Sequence, residues 1–391
     1  MQIYKTFITS QPVSTKKNEL RTKTVFNLTT IPQYYIFVGN NITFMKKEKK
    51  GLFTVITMAV IAAGIYFGCT LGYKYYTVKV SRIAIDETAY IYITPQDNAS
   101  STMAKIKEAV PTANTDGFAA LAAHNKYDSR KRSGKYAIKD GDTMSDIYNR
   151  IVSRQQTPVR ITIPATRDVQ QAIGIISRQL MADSADIAAY THPVAMSCFG
   201  VDLAHIPAFF LPDTYEVYWD ISAETLFEKI SSWNRQYWND ERKAKAKAAG
   251  LTPAEVSTLA SIVDEETANA AEMPTVAGLY INRLKRGMPL QADPTVKFAL
   301  GDPTRRRILN KDLEVNSPYN TYKHTGLPPG PIRIPTKQAI ESVLNYEKHS
   351  YLYMCAKEDF SGTHNFAKTL GEHNVNAKKY QQALNKLKIK K

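Results

Sequence analysis

Three consecutive acids, Asp264, Glu265 and Glu266, are the residues of this chain best placed for proton chemistry. An apolar stripe runs Val256, Leu259, Val263 and on to position 266, the rhythm of a buried helix face. A carboxylate in line with such a stripe costs free energy unless it is paired or neutralised. Glu266 is therefore either a satisfied structural acid or a carboxyl kept protonated for work. Asp264 continues the small-residue face of Ser257, Ala260 and Ser261, and Glu265 is the acid expected to be solvated.

Loops rich in Pro, Gly, Asn and Tyr follow. They carry Leu290-Gln291-Ala292-Asp293-Pro294, Ser317-Pro318-Tyr319-Asn320-Thr321-Tyr322, Thr325-Gly326-Leu327-Pro328-Pro329-Gly330 and Thr363-His364-Asn365-Phe366. Loops of this length and composition more often hold binding groups than serve as plain connectors. Upstream, residues 210–219 are dense in aromatics. Either they are core, or Tyr215, Tyr218 or Trp219 lines a carbohydrate cleft, since aromatic faces stack on the apolar faces of sugars. His364 and His373 are nine apart with no third ligand nearby, so no metal and no other cofactor is expected. No Ser-His-Asp or Cys-His set argues for a protease.

The elements that must position these groups have clear signals. Thr252, Pro253 and Glu255 form a T-P-x-E helix start, a capping box with proline at the first position. Pro274 opens a second helix with Ala277, Tyr280, Ile281 and Leu284 on its stripe, closed by Gly287. Glu266 thus falls near a helix–helix junction, where a cleft can form. Before this region, residues 78–85, 89–93, 136–138 and 159–163 read as strands. Residues 99–124 read as two short helices, and helices follow the third and fourth strands. The expected class is α+β: a small membrane-proximal module over residues 77–182 and a mixed α+β catalytic domain over residues 183–391. A strand–helix unit opened by Asp140-Gly141-Asp142-Thr143 is similar to the small sugar-binding LysM modules, and a plain spacer domain is the other reading.

Residues 51–73 carry no charge. At 1.5 Å per residue this helix would be about 34 Å long, enough for a bilayer core of about 30 Å. A secretory signal has a shorter apolar core and a small-residue cleavage site; here Tyr73, Lys74, Tyr75 and Tyr76 follow instead. An uncleaved single-pass anchor is expected, with membrane lipid around it. Lys46, Lys47, Lys49 and Lys50 put residues 1–50 in the cytoplasm and the rest outside the inner membrane. Met45 resembles a natural start, so residues 1–44 are either an upstream extension of the reading frame or a short cytoplasmic tail. The net charge of +15 is partly local: residues 1–50 hold nine Lys or Arg against two Glu. With no aromatic-interleaved basic patch, no nucleic-acid partner is expected. Three cysteines fit neither a zinc site nor a disulfide framework, and buried thiols are expected.

The ordered motifs A-S-I-V-x-x-E-T, I-N-R-L, L-Q-x-D-P-T-V, Y-N-T-Y and T-G-L-P-P-G-x-I resemble the YceG-like (MltG) family of endolytic murein transglycosylases. The resemblance is strong over residues 251–385 and looser over 130–250. It implies cleavage of the β-1,4 bond between N-acetylmuramic acid and N-acetylglucosamine in nascent peptidoglycan strands, leaving 1,6-anhydro ends and limiting strand length. Peptidoglycan synthases are then the partners to look for. The family's catalytic acid is the second glutamate of an E-K-E-T run, which reads Asp264-Glu265-Glu266-Thr267 here, so the role falls on Glu266. A third carboxylate in place of the lysine is expected to disfavour ionisation of Glu266. Gln291, Tyr319 and Asn320 become candidates for holding acetamido groups and developing charge, or simply tie their loops to the core. His364 is either a substrate-side or a structural hydrogen-bonder. Asp293 is the loop carboxylate placed to be a second acid, as a water-using muramidase would need, and Asp-Pro turn chemistry explains it equally well. A membrane-tethered glycan-binding protein with a structural acid is the remaining alternative.

Overall fold

A computed structural model describes residues 42–127, 132–302, 305 and 308–386, with side chains from residue 51 onward. The stretches 1–41 and 387–391 lie outside the described residues. The chain divides into two compact units, residues 1–69 and 70–391.

The first unit contains most of α1, Ile42–Tyr75. From residue 51 its apolar side chains are exposed all round; Leu52, Phe53, Val60 and Phe67 are each more than 60% accessible. A helix that is apolar on every face has no side to turn to water, and this one is long and apolar enough to cross a membrane.

Among the described residues of the second unit, three two-stranded antiparallel sheets are each backed by helices. In the first, β1 (Ala89–Ile93) pairs with β2 (Gly134–Ile138), Ala89 opposite Ile138 and Ile93 opposite Gly134. Alternation buries Ile91 and Ile93 against α2 (Ala99–Ala109), α3 (Asp116–His124) and α4 (Met144–Val152), through Ile106, Phe118, Ile147 and Ile151. Residues 78–85 do not form the expected strand. The backbone continues from α1 as a short π-helical turn, Tyr76–Val80, and keeps a single bridge, Arg82 to Thr143. The β-branched alternation there is overridden by continuation of the preceding helix.

The strand β3 (Val159–Ile163) pairs not with the first module but with β4 (Asp213–Val217), Val159 opposite Val217. It packs with α5 (Val169–Ser177) around a second core of Ile161, Ile173, Phe209, Phe210, Leu226, Phe227 and Ile334. Three short helices, α6 (Ser184–Ala189), α7 (Pro193–Ser197) and α8 (Ile206–Phe209), lead to β4, and α9 (Ala223–Tyr237) covers it. The cores therefore divide near residue 153 rather than at 182, because the apolar faces of β3 and α5 are matched by residues 206–230.

The third core carries the site. After α10 (Asp240–Ala249), α11 (Pro253–Glu266) begins with the expected capping box: Glu255 N–H donates to Thr252 Oγ1 at 3.2 Å and Thr252 N–H to Glu255 Oε2 at 2.7 Å. Val256, Leu259, Ile262 and Val263 are fully buried against α12 (Met273–Lys285) and α14 (Lys337–Leu344). Each such side chain contributes about 1.5–3 kcal/mol. Gly278 of α12 is required by contact: a Cβ there would collide with the Glu347 carbonyl. The fold closes with α13 (Asp293–Ala299), the hairpin of β5 (Tyr353–Ala356) and β6 (His364–Ala367), and α15 (Leu370–Lys386). The expected buried thiols are not found: the free cysteines Cys69 and Cys198 are exposed and Cys355 is half-buried.

Candidate active site

At the C-terminal end of α11 the three acids diverge, since successive residues on a helix point about 100° apart. Asp264 accepts from Thr336 N–H at 2.6 Å and from Thr336 Oγ1 at 2.7 Å, pinning the start of α14. Glu265 is not solvated: its side chain is 10% exposed. It accepts from Arg167 Nε and Nη2 at 2.8 and 2.5 Å and from Arg333 Nη1 at 2.9 Å. Glu266 turns into a cleft shared with Gln291, Asp293 and His364. Glu265→Gln would leave two guanidiniums without their anion. Because Arg167 can reach water, the expected loss is about 1–3 kcal/mol rather than the full cost of a buried broken pair. Denaturant unfolding at neutral pH checks this, and an unchanged midpoint would sink it.

The cleft has a volume of about 360 Å³ and brings Glu266 together with Gln291, Asp293 and His364. Its back wall is α12. Tyr280, 2% exposed, donates its hydroxyl to Glu266 Oε1 at 2.7 Å. One side is the loop before α13 and the first residue of that helix, Asp293, whose Oδ1 accepts from the Tyr322 hydroxyl at 2.6 Å. The other is the β5–β6 hairpin with His373 of α15. Burial pushes the Glu266 carboxyl up to about 7; the Asp293 and Glu265 charges push the same way, and the Tyr280 hydrogen bond draws it back. Burial is the main cause, and the Glu265 charge, held by two arginines, is the smallest contributor. The substitution of glutamate at 265 thus does less to Glu266 than its position in sequence implies.

Tyr280→Phe removes a bond that favours the charged form of Glu266. A hydrogen bond to a charged group is worth about 1.5–3 kcal/mol, so the alkaline limb of the pH–rate profile is expected to move up by about one unit. A downward shift would contradict this reading.

A profile for the YceG-like family matches residues 91–379. The chain belongs to the YceG-like family. It is similar to an endolytic murein transglycosylase of Bacillus subtilis (strain 168), 40% identical over 162 residues, 41% of this chain and 43% of that protein. It is also similar to one of Streptococcus pneumoniae serotype 2 (strain D39 / NCTC 7466), 26% identical over 338 residues, 77% of this chain and 60% of that protein. The matches therefore span about half the length of these curated relatives. Among solved structures, a YceG-like protein of Listeria monocytogenes aligns at 25% identity with a TM-score of 0.48, covering 74% of this chain and 99% of that one.

In this YceG-like chain three of the expected contact residues lie outside the cleft lining. Asn320 is fully buried; its amide donates to the Leu313 and Val315 carbonyls at 2.8 and 2.9 Å and its Oδ1 accepts from Tyr322 N–H. It anchors its loop and has no surface for an acetamido group. Tyr319 packs on the third core and against Phe298, ring centroids 4.7 Å apart. Tyr215 stacks on Trp233 at 3.9 Å and donates to the Leu211 carbonyl at 2.9 Å, the core reading of that aromatic stretch.

His364 does line the cleft, and it is fixed from behind. Glu272, 8% exposed, accepts from His364 N–H at 2.7 Å and from Thr267 Oγ1 at 2.9 Å, and its Oε2 lies 2.9 Å from His364 Nδ1. Burial opposes the Glu272 charge, but these hydrogen bonds outweigh it and hold its carboxyl below the usual range. Among the described residues no three His, Cys, Asp or Glu side chains converge as metal ligands. Sequence reasoning read Tyr280 as a core residue and gave Arg283, Tyr322 and Glu272 no role at the site. Two of them, Arg283 in I-N-R-L and Tyr322 in Y-N-T-Y, lie inside the recurrent motifs, which was the available signal.

Proposed function

We propose that this protein is an endolytic murein transglycosylase, cutting between N-acetylmuramic acid and N-acetylglucosamine within nascent strands and leaving 1,6-anhydro ends. The observation that carries the reading is Glu266: a carboxyl turned into a cleft and raised by burial to about 7. Such a group can give a proton and take one back near neutral pH. Its proton goes to the glycosidic oxygen as the C1–O bond breaks. The resulting carboxylate then removes the C6 hydroxyl proton while that oxygen bonds to C1. The acid is regenerated and no water is consumed. The names of the similar proteins support the same reaction. Gln291, Asp293 and His364 are the groups we assign to holding the sugars beside it, because they share its cleft.

We read residues 51–73 of α1 as an anchor in the cytoplasmic membrane, with Lys46, Lys47, Lys49 and Lys50 on the cytoplasmic side and residues 77–391 outside, where new strands emerge. That placement restricts cleavage to strands near the synthases. The module around β1 and β2 is assigned as a LysM-like glycan holder on its Asp140-Gly141-Asp142-Thr143 turn and following helix. One observation favours a second reading: Asp293 shares the cleft, and a second carboxylate is what a water-using muramidase needs.

The test is mass spectrometry of uncrosslinked glycan strands incubated with the detergent-solubilised full chain. Anhydro ends are expected. Reducing ends would make the protein a hydrolase with Asp293 as its second acid, and strand binding without cleavage would make it a tethered binding protein.

A further inference from the structure

A second cavity, about 410 Å³, lies on the far side of the ridge that bounds the catalytic cleft. The ridge is the end of α11 and the start of α13. Glu266 and Asp293 face the cleft, while the next residue over in each case, Glu265 and Pro294, faces the second cavity. The floor there is apolar, formed by Val169, Pro207, Ile332 and Phe298, and Phe298 stands 42% exposed on α13. The wall is built rather than incidental. Arg333 joins Glu265 to the Ala165 carbonyl, and Ile332 N–H is held by Ser261 Oγ at 3.0 Å. The rim carries both signs, Lys297 and Arg167 on one hand, Asp168 and Asp302 on the other.

We infer that this groove takes the peptide stem of the muramyl residue being cleaved, an inference that rests on the transglycosylase reading. The chemistry of the substrate places the stem there. It leaves the sugar through a lactyl ether on C3, two carbons from the C1 at which the glycosidic bond breaks, so a stem-bearing residue in the cleft must send its peptide over an adjoining wall. The lactyl and alanyl methyl groups suit an apolar floor. An uncrosslinked stem carries carboxylates and a free amine, which suits a rim of both signs. Phe298, the most exposed apolar side chain of the floor, is the one whose loss the stem would register most.

The experiment compares stem-bearing uncrosslinked strands with strands stripped of peptide by an amidase, using the full chain, Phe298→Ala and Phe298→Leu. Phe298→Ala is expected to lose about tenfold in kcat/KM on stem-bearing strands, mostly through KM, the usual scale for removing one apolar contact. On stripped strands it should stay near wild type, and Phe298→Leu should recover most of the loss. An equal loss on both substrates, or no change on either, would overturn the inference. Binding of the two strand types to Glu266→Gln reads the groove without turnover. A preference for stem-bearing strands that Phe298→Ala erases supports it even if the cleavage assay fails, and equal binding overturns it. Absence of anhydro product from both strand types with wild type would count against the transglycosylase reading alone.

Discussion

Glu266→Gln is expected to lower strand cleavage by about 10³–10⁴-fold while leaving the fold intact. The amide fills the space of the carboxyl, and its oxygen can still accept from Tyr280, so the cleft is preserved while the proton is not. Neither neighbouring acid can substitute. Asp264 is bound to Thr336, and Glu265 lies on the other side of the ridge between two arginines. Retention of more than a tenth of wild-type turnover would remove Glu266 from the mechanism. The same substitution has a signature in stability. Burial raises the folded-state value from 4.5 to about 7, so folding opposes ionisation of this group. Its contribution is therefore fully present below about pH 4.5 and is lost as pH rises through about 7. The loss is at most about 3 kcal/mol, and less to the extent that water entering the cleft screens the charge. Glu266→Gln lacks the titrating proton, so its unfolding midpoint should gain on wild type between pH 5 and pH 8. A constant difference across that range would mean that the carboxyl ionises freely in the folded protein.

The parts of this site that were legible in sequence are those set by local rules. The capping box, the proline at the first helical position and the stripe from Val256 to position 266 fixed both the helix and the face on which Glu266 sits. What was illegible depends on partners distant in the chain. Glu265 read as a solvated acid because nothing local shows that Arg167 and Arg333, 98 and 68 residues away, converge on it. Tyr280 read as core, which is right for its ring, but periodicity does not report where a buried hydroxyl points. Asn320 misled for the opposite reason. A loop that folds inward must satisfy its own carbonyls, and a buried asparagine amide does so as well as any ligand contact. The strand β3 was visible as a strand, yet its pairing with β4, 50 residues later, was not, because alternation sets which face is buried and not which strand lies beside it.

Arg283→Ala should be the most destabilising single change at the site, by about 3 kcal/mol or more. Arg283 is 6% exposed on α12. It donates from Nε to the Leu352 carbonyl at 2.7 Å and from Nη1 to the Pro289 and Leu290 carbonyls at 3.0 and 2.8 Å, reaching Gln291 Oε1 at 3.3 Å. One guanidinium thus ties together the helix behind the acid, the loop bearing Gln291 and Asp293, and the approach to β5. Truncation leaves buried carbonyls unpaired, each at about 1–3 kcal/mol before relaxation. It also releases both side walls of the cleft, so KM should rise along with the fall in stability, even though Arg283 transfers no proton. Arg283→Lys should recover only part of either, since a single ammonium cannot reproduce a planar fork that spans two segments. Denaturant unfolding and steady-state kinetics on the two variants test the point together. A loss below about 1 kcal/mol for Arg283→Ala, or full rescue by lysine, would mean that the loops hold themselves and that the guanidinium merely fills space. The expected result makes the cleft a product of one buried cation whose hydrogen bonds reach carbonyls on both of its sides.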